Sequence, residues 1–564
     1  MNKIKILSLA GLLGLSMLST GCSDDFLEIV PESNYTGESF YSSDEAVLKA
    51  GEPLYNRAWF NFNRRAILGI GSYRANDAWN PYATAEFARF QTTALTPELI
   101  QAWSSLHLAV TMGNSIIKDL KNNCGSKVSE GAKNRVLGEA YLTRAAAYFY
   151  MVRIWGPCIL FEDNDGVVVS PLRHLNPEED VFKFVIRDLR KAIEYLPETG
   201  SNGRVSKYAA KAMLAKVLLA HSGWNKDSRD ENELAECIAL CEDVIDNSGA
   251  SLMEDFHELF RYQNNNNSES LYAMQWIDPL LKSAGWGTYN CLLSDLSFSD
   301  VCDVNCWANN LQPSPDMLEY FNQGIFGTER WTATFFTEDV YYPYIKSQHG
   351  GYTYTKKWCQ VKKGVVGCKE DNDGKLASQA SPLNTYIIRL ADVYLTHAEA
   401  CLGNKQTLTS GRGLESFNAI RTRAGVPEFE SIDFWTIVRE RRMEFCMEYC
   451  NWFDMVSWYR WKPQEMLTFF NEEQHRGYEI KNNGIERINR ADGSFKLNYL
   501  FANDNVWRLN SDGTDNPDWS VDAYRPHDII LSEASIFMPY PEADVLQNPY
   551  LSKAPEPYDF GDEK

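Results

Sequence analysis

Three short stretches place tryptophan or tyrosine beside asparagine in segments with the composition of loops. They are SYRANDAWNPY at 72–82, AGWGTYN at 284–290 and NCWANN at 305–310. A flat aromatic ring can stack on the apolar face of a sugar ring, while amide, carboxylate and guanidinium groups hydrogen-bond to its hydroxyls. This combination favours carbohydrate binding. The residues selected on this ground are Trp79, Asn80, Tyr82, Trp286, Tyr289, Asn290, Trp307 and Asn309.

The alternative for each of these rings is a structural role, in which it fills the core or anchors a loop. Other aromatic residues lie in more strand-like sequence and are expected to be structural: Trp331, Tyr341, Tyr342 and Tyr344. No spacing rule links the eight selected residues, so the selection depends on composition and loop context alone.

Catalytic motifs are missing from the sequence. The eight histidines are scattered without an HExxH motif, and GxSxG, P-loop and GxGxxG motifs do not occur. His397 is expected to be a hydrogen-bonded core residue on an apolar helix face. A glycosidase needs only two carboxylates brought together in space, so this class stays open without support. We predict no catalytic residue.

One acidic stretch, Asp371 to Gly374, resembles part of an EF-hand calcium loop. With Gly374 at the sixth position of that loop, Lys369 and Ala380 would occupy the first and twelfth positions, where carboxylates are required. The motif therefore fails. We predict no metal site and no cofactor, and a calcium site built from loop carbonyls is left open.

Thirteen cysteines are present. Four of them lie in the loop-rich part of the chain, where an oxidising export route could join them: Cys302, Cys306, Cys359 and Cys368. Zinc is the alternative for this spacing, but histidines are lacking nearby. We expect one or two disulfides, with the pairing open.

The N-terminus has the features of an export signal. Lys3 and Lys5 precede a thirteen-residue apolar run at 6–18, which is too short to span a bilayer. The dipeptide before the next polar stretch, Gly21-Cys22, resembles a bacterial lipobox, in which the cysteine receives lipid. We predict a signal peptide over 1–21 and lipidation of Cys22; the alternative is an ordinary signal peptide followed by an unmodified cysteine.

Composition limits the classes of partner. Of the 564 residues, 44% are hydrophobic, and 55 basic against 76 acidic residues give a net charge of −21. Such a surface repels phosphate backbones, so nucleic acid is not an expected partner. No stretch after the N-terminus is long and apolar enough to span a membrane.

Amphipathic helices account for the first half of the chain. Apolar residues recur every three or four positions in five segments, which are 97–121, 132–155, 178–196, 205–221 and 233–247. Successive helices of this length are typical of tetratricopeptide-like repeats. The fold class predicted is mostly α, with helix-pair repeats and an inserted region of loops and short strands.

The inserted region is rich in aromatic residues, with 18 of them in the 87 positions from 272 to 358. Helices are predicted to resume at 385–403, to continue after Gly411 and to end with one helix over 433–459. After Lys462 the sequence looks irregular. The divisions predicted are a signal peptide over 1–21, a tether over 22–40, a helical block over 41–261, a ligand-binding insertion over 262–384, a second helical block over 385–462 and a C-terminal segment over 463–564.

Several stretches together resemble the SusD/RagB family of bacterial surface lipoproteins. They are CSDDFLEIVPE at 22–32, EAYLTRAAAYFYMVRIWGPCIL at 139–160, RVSKYAAKAMLAKVLLA at 204–220, RLADVYLTHAEA at 389–400, IRTRAGVP at 420–427, RERRMEFCMEYCNWFDMVSW at 439–458 and FMPYPEADVLQNPYL at 537–551. The resemblance departs from the family at Cys450-Asn451, Ser457, Tyr540 and Asp544.

This resemblance implies a SusD-like fold and a binding protein without catalysis. Family members are anchored by lipid to the outer membrane and exposed at the cell surface. They capture oligosaccharide or polysaccharide and deliver it to a SusC-like TonB-dependent transporter. Two alternatives stay open, namely a RagB-like lid that binds peptide and a scaffold whose ligand is the transporter alone.

Overall fold

The structure is a computed structural model. The residues that it describes are 41–80, 85–292, 296–306, 311–325, 327–474, 476, 480–502, 505–519 and 529–561. Four predicted site residues lie outside these ranges, namely Cys22, Tyr82, Trp307 and Asn309, and so do the predicted signal peptide and tether.

Most of the regular structure is α-helical. The helices of the first half are α1 (Asp44–Gly51), α2 (Ala85–Ala88), α3 (Pro97–Asn122), α4 (Glu130–Trp155), α5 (Asn164–Val169), α6 (Glu178–Tyr195), α7 (Lys207–Ser222) and α8 (Glu231–Asn247). Those of the second half are α9 (Pro315–Asn322), α10 (Thr328–Thr334), α11 (Leu390–Leu402), α12 (Arg412–Arg423), α13 (Phe434–Glu444), α14 (Asn451–Trp461), α15 (Pro463–Thr468) and α16 (Glu542–Gln547).

The described strands are short and form antiparallel two-stranded ladders. They are β1 (Ala78–Trp79), β2 (Ser270–Met274), β3 (Gln312–Pro313), β4 (Phe335–Phe336), β5 (Tyr341–Tyr342), β6 (Tyr352–Thr353), β7 (Gln360–Val361), β8 (Thr385–Arg389), β9 (Ile480–Asn489) and β10 (Phe495–Phe501). The partners are β1 with β3, β2 with β8, β4 with β7, β5 with β6 and β9 with β10.

The long helices stack in chain order. α3 packs on α4, α4 on α6, α6 on α7, α7 on α8, α8 on α11 and α11 on α12. An added Cβ at Gly113 of α3 would lie 3.2 Å from the carbonyl oxygen of Ala140 in α4, which shows how closely the backbones approach. Neighbour-on-neighbour packing is the geometry of a helical repeat array. The predicted fold class, mostly α with tetratricopeptide-like helix pairs, is confirmed.

Helix ends follow local capping chemistry. The Ser129 hydroxyl accepts a hydrogen bond from the Ala132 amide at the start of α4, and the Asp230 carboxylate accepts two amides at the start of α8. These signals are local in sequence, so the predicted ends of α3, α4, α6, α7 and α8 agree with the structure within two residues.

Buried ion pairs join the second helical block to the β2–β8 ladder. Arg389, at the end of β8, contacts Glu269 at 2.5 Å, Glu444 at 2.8 Å and Glu448 at 2.7 Å. Arg423 of α12 also contacts Glu269 and Glu444. The three carboxylates and two guanidinium groups are almost completely buried, so each charge depends on its partners.

The helix predicted over 433–459 is wrong, because the chain breaks between α13 and α14. Met447 and Tyr449 have φ of +60° and +66°, which a helix cannot contain. The turn brings the Tyr449 carbonyl against Gly71, where an added Cβ would lie 1.9 Å from that oxygen. It also aims the carboxylate of Glu448 at Arg389. Tertiary contacts therefore override the helical pattern.

Other predictions for the second half need correction. Trp331 lies in α10 rather than in a strand, although it is buried as expected. α9 was predicted as loop, and the hairpin of β9 and β10 was predicted as irregular chain. His397 agrees with the prediction, since it is buried in α11 and hydrogen-bonds through Nδ1 to the Ser416 hydroxyl at 2.8 Å.

The four loop cysteines are all free thiols in the structure, which contradicts the expected disulfides. The Cys368 thiol donates to the Asp371 carboxylate at 3.1 Å, and the Cys359 sulfur lies 4.0 Å from the Thr337 hydroxyl. Cys302 and Cys359 are buried as well, so the sulfurs pack as small core groups.

Candidate functional site

The turn from Gly285 to Thr288 presents one tryptophan to solvent. The Thr288 amide donates to the Gly285 carbonyl at 3.2 Å, and the Thr288 hydroxyl donates to the same oxygen at 2.8 Å. Gly287 has φ of +96°, which glycine adopts without strain at the third position of a turn. Trp286 takes the second position and is 63% exposed, although large apolar side chains are usually buried.

Neighbouring rings hold the Trp286 indole in place. The Phe60 ring contacts it edge-on with a centroid distance of 4.9 Å, and Tyr289 does so at 6.2 Å. The guanidinium carbon of Arg64 lies 5.3 Å from the centroid of the indole, within the range of a cation–π contact. We call Phe60, Arg64, Trp286 and Tyr289 the Trp286 platform.

A second arginine lies beside the platform although the chain is strongly acidic. Arg57 is exposed and lies close to the turn. Its Nη2 atom is 3.4 Å from the position that a Cβ atom would take at Gly285. Guanidinium groups offer several fixed N–H donors, which suit pairs of sugar hydroxyls. Burial raises the pKa of the Tyr289 phenol, which therefore stays protonated and able to donate at neutral pH. The arrangement can stack a sugar ring and hydrogen-bond its edge.

The prediction that Asn290 contacts ligand is corrected, because its amide is buried and already used. Its Nδ2 donates to the Leu383 carbonyl at 2.8 Å, and its Oδ1 accepts from Asn63 at 3.1 Å and from the Leu292 amide at 2.9 Å. Only 4% of the residue is exposed. Asn290 therefore fixes the base of the loop that presents Trp286 and Tyr289.

The other two predicted stretches adjoin the β1–β3 ladder in sequence. Trp79 is paired in register with Gln312, and Asn80 is half-buried at the end of β1. Residues 81–84, with Tyr82, follow this strand in sequence, and residues 307–310, with Trp307 and Asn309, precede β3. Two of the three predicted stretches are thus attached to one ladder.

Phe60 and Arg64 are functional candidates that the sequence prediction missed. Arg64 lies in a π-helical turn, Phe62–Ala66, and such turns are frequent at functional sites. The stretch WFNFNRR at 59–65 combines aromatic rings, asparagine and arginine in the same way as the selected loops. This stretch therefore has the composition expected of a sugar-binding segment. It was not selected because it lies in a helical segment, whereas the selected stretches have the composition of loops.

A polar cleft of about 340 Å³ lies between the loops that follow α6 and α8 and the start of β2. Serine, asparagine, glutamine and glycine line it, together with Arg204. The described residues lining it include no aromatic ring, so it lacks the stacking surface that the Trp286 platform offers. Arg204 is engaged by Glu139 at 2.7 Å.

In the acidic loop at 371–374, the Asp371 carboxylate is occupied by hydrogen bonds from the protein. Asp371 accepts hydrogen bonds from the amides of Lys346 at 2.6 Å, Ser347 at 2.8 Å and Cys368 at 3.0 Å. Within the described ranges, no group of three or more histidine, cysteine, aspartate or glutamate side chains is arranged to hold a metal ion.

Comparison with known proteins identifies relatives over most of the chain. A model of the SusD family matches residues 307–556, and a model described as starch-binding, associating with the outer membrane, matches residues 25–219. A SusD-like protein of Bacteroides ovatus is 49% identical over 555 residues, which are 97% of each chain. Among the described residues, none of the helices has the length and apolar character needed to cross a membrane.

Solved structures share the fold. A crystal structure with xylogluco-oligosaccharide is 47% identical and has a TM-score of 0.82 over 92% of this chain and 100% of that chain. A laminarin-binding SusD-like protein is 21% identical, with a TM-score of 0.58 over 75% of this chain and 92% of that chain. The second likeness establishes the fold alone.

Proposed function

The chain belongs to the SusD family, whose members are carbohydrate-binding proteins rather than enzymes, and we propose that it captures a glycan on the Trp286 platform at the cell surface. The observation that carries the proposal is an indole that is 63% exposed on a fixed turn, beside Tyr289 and Arg64. A fixed and exposed indole offers a flat apolar face on which a sugar ring can stack. We keep Trp79, Asn80, Tyr82, Trp307 and Asn309 as further candidates for ligand contact on the ground of their composition.

Xyloglucan oligosaccharides are the glycans that we propose first. The relative of 47% identity crystallised with xylogluco-oligosaccharide supports this choice. A glucan backbone carries no charge. Its sugar rings have flat apolar faces that can stack on an aromatic ring and hydroxyl groups that can hydrogen-bond to the platform.

Calorimetric titration of xyloglucan oligosaccharide tests the proposal. The wild-type protein should bind with a micromolar or weaker Kd, and Trp286→Ala should weaken binding at least about tenfold, since loss of a central aromatic hot spot costs about 2 kcal/mol or more. Tyr341→Ala is the control, because Tyr341 is 55% exposed on the separate β5–β6 hairpin. Binding of peptides but of no glycan in a broad panel would favour the peptide-binding alternative.

For the membrane context, we propose lipidation of Cys22, anchoring to the outer membrane and delivery of glycan to a SusC-like transporter. The family model that covers residues 25–219 names association with the outer membrane, which supports this context. Purification of the tagged protein from native membranes should recover a TonB-dependent transporter. A protein that retains transporter but binds neither glycan nor peptide would be a scaffold.

A further inference from the structure

Two buried arginines, Arg74 and Arg476, stack on one aromatic ring. Their guanidinium carbons lie 4.9 Å and 4.2 Å from the centroid of Phe90. Arg74 is 1% exposed and Arg476 is 4% exposed. Neither forms an ion pair among the described residues, whereas buried arginines elsewhere in this chain, such as Arg389, have carboxylate partners.

Most N–H groups of the two side chains are without acceptors. Arg74 donates through Nη2 to the Ser535 carbonyl, while its Nε and Nη1 have no partner. Arg476 makes one long contact through Nη1 to the Ala88 carbonyl at 3.4 Å, while its Nε and Nη2 have none. The indole N–H of Trp452, on which Arg74 also stacks at 4.6 Å, is unpartnered too. Every one of these groups is a donor.

The surrounding carboxylates do not match the arginines in number. Burial lowers the pKa of Arg476, the nearby Arg442 and Arg74 lower it further, and Asp316 and Asp77 raise it, so three buried guanidinium groups share two carboxylates. The nearby Asp77 carboxylate accepts instead from Asn451 Nδ2 at 3.0 Å and from the Met447 amide at 3.3 Å. Burial also lowers the pKa of Arg74 to about 9. Leaving such donors buried without acceptors destabilises the folded protein.

We propose that Arg74 and Arg476 bind a small inorganic anion of halide size in this cluster. A group that only accepts hydrogen bonds matches an all-donor lining better than water, which must also donate. The near-complete burial favours a small ion over a larger oxyanion. The bound ion would link the segment before β1, which contains Arg74, to the segment before β9, which contains Arg476. The proposal concerns stability and does not depend on glycan binding.

The site can be tested with bromide as the probe. Crystals of the wild-type protein soaked in sodium bromide should show an anomalous peak in contact with the unpartnered nitrogens of Arg74 and Arg476. Ordered water at that position, in crystals where bromide occupies other places, would overturn the proposal.

A solution measurement separates a bound ion from binding at crystal concentration only. At constant ionic strength, replacing sodium gluconate by sodium bromide should raise the Tm of the wild-type protein saturably, by about 1–3 °C. Arg476→Met should abolish this rise. Arg190→Met, which removes an arginine with 59% side-chain exposure, should retain it. If Arg476→Met does not fold, the wild-type bromide titration decides alone: an unchanged Tm would overturn the proposal.

Discussion

At the scale of single residues, Gly287 sets the position of Trp286. Its φ of +96° is strained for any residue with a Cβ atom. Gly287→Ala should therefore shift the turn and weaken glycan binding several-fold while the indole stays in the sequence. Titration calorimetry with xyloglucan oligosaccharide measures the effect.

Gly285→Ala is the matched control for this change. Gly285 has no positive φ, and its added Cβ would meet only the flexible end of Arg57 at 3.4 Å. Its affinity should stay close to that of the wild-type protein. Equal losses in the two variants would contradict the role assigned to the turn.

Sequence composition could locate the loop of the platform but could not assign each residue within it. Trp286 and Asn290 are four positions apart and were both selected from the same loop stretch. Trp286 is exposed, whereas the amide of Asn290 is hydrogen-bonded to Asn63 and Leu383. Those partners are 227 and 93 positions away in sequence. No local pattern reports contacts of that range.

At the scale of helices and strands, Glu444 is the centre of the buried ion pairs. Burial alone would raise the pKa of its carboxyl, but Arg423, Arg389 and Arg330 hold the pKa well below its usual range. Glu444→Gln removes the charge and leaves these guanidinium groups undercompensated. We expect a loss of about 3–5 kcal/mol in the free energy of unfolding, measured from urea transitions.

The exposed pair of Lys49 and Glu45 provides the control for Glu444. Their side chains are 66% and 77% exposed, so Glu45→Gln should leave the urea midpoint unchanged. Similar midpoints for the Glu45 and Glu444 variants would show that the buried pairs do not hold α12 and α13 to the β2–β8 ladder.

His221 joins three helices in a pH-dependent way. Burial alone would lower its pKa, but hydrogen bonds and charge from Glu179 of α6 and Glu233 of α8 raise it to about 9. A raised pKa in the folded state stabilises the fold fully below about pH 6.5, and this contribution is lost as pH rises through about 9.

His221→Gln tests this pH dependence. Relative to the variant, the wild-type protein should lose about 1–3 kcal/mol of stability between pH 6.5 and pH 9.5. Urea midpoints of both proteins across this range measure the difference. Parallel pH profiles would contradict the assignment.

Helix prediction succeeded where the determinants are local and failed where they are not. α3, α4, α6, α7 and α8 have apolar residues that recur at three- and four-residue steps, and α3, α4 and α8 begin with a proline or a side-chain cap. The break at Met447 and Tyr449 has no such signal, since neither residue type favours positive φ. It depends on Gly71 and Arg389, which lie far away in sequence. The β1–β3 and β2–β8 ladders likewise pair distant residues, since Ala78 pairs with Pro313 and Ser270 with Arg389.

At the scale of the whole molecule, the proposed anchor predicts where the protein is found. Cys22→Ala should abolish lipid labelling and move the protein out of the membrane fraction, because two or three acyl chains account for stable attachment. Cell fractionation and labelling with a palmitate analogue measure this. An unmodified Cys22 in the mature wild-type protein, detected by mass spectrometry, would contradict the anchor.

The family was recognisable from sequence because its motifs contain the charges of the buried core. Arg389, Arg423 and Glu444 lie in the stretches at 389–400, 420–427 and 439–458 that carry the resemblance, and they contact one another in the structure. Ligand choice was not recognisable in this way. We assign it to the Trp286 platform, in which Arg64 and Trp286 contact each other although they lie far apart in sequence.

Binding of xyloglucan oligosaccharide to the wild-type protein and to Trp286→Ala is the most direct test of the central claim. We predict saturable binding to the wild-type protein, a loss of at least about tenfold in Trp286→Ala and wild-type affinity in Tyr341→Ala. The absence of binding to any glycan in a broad panel, or equal affinities for wild-type protein and Trp286→Ala, would contradict the claim that the Trp286 platform captures glycan.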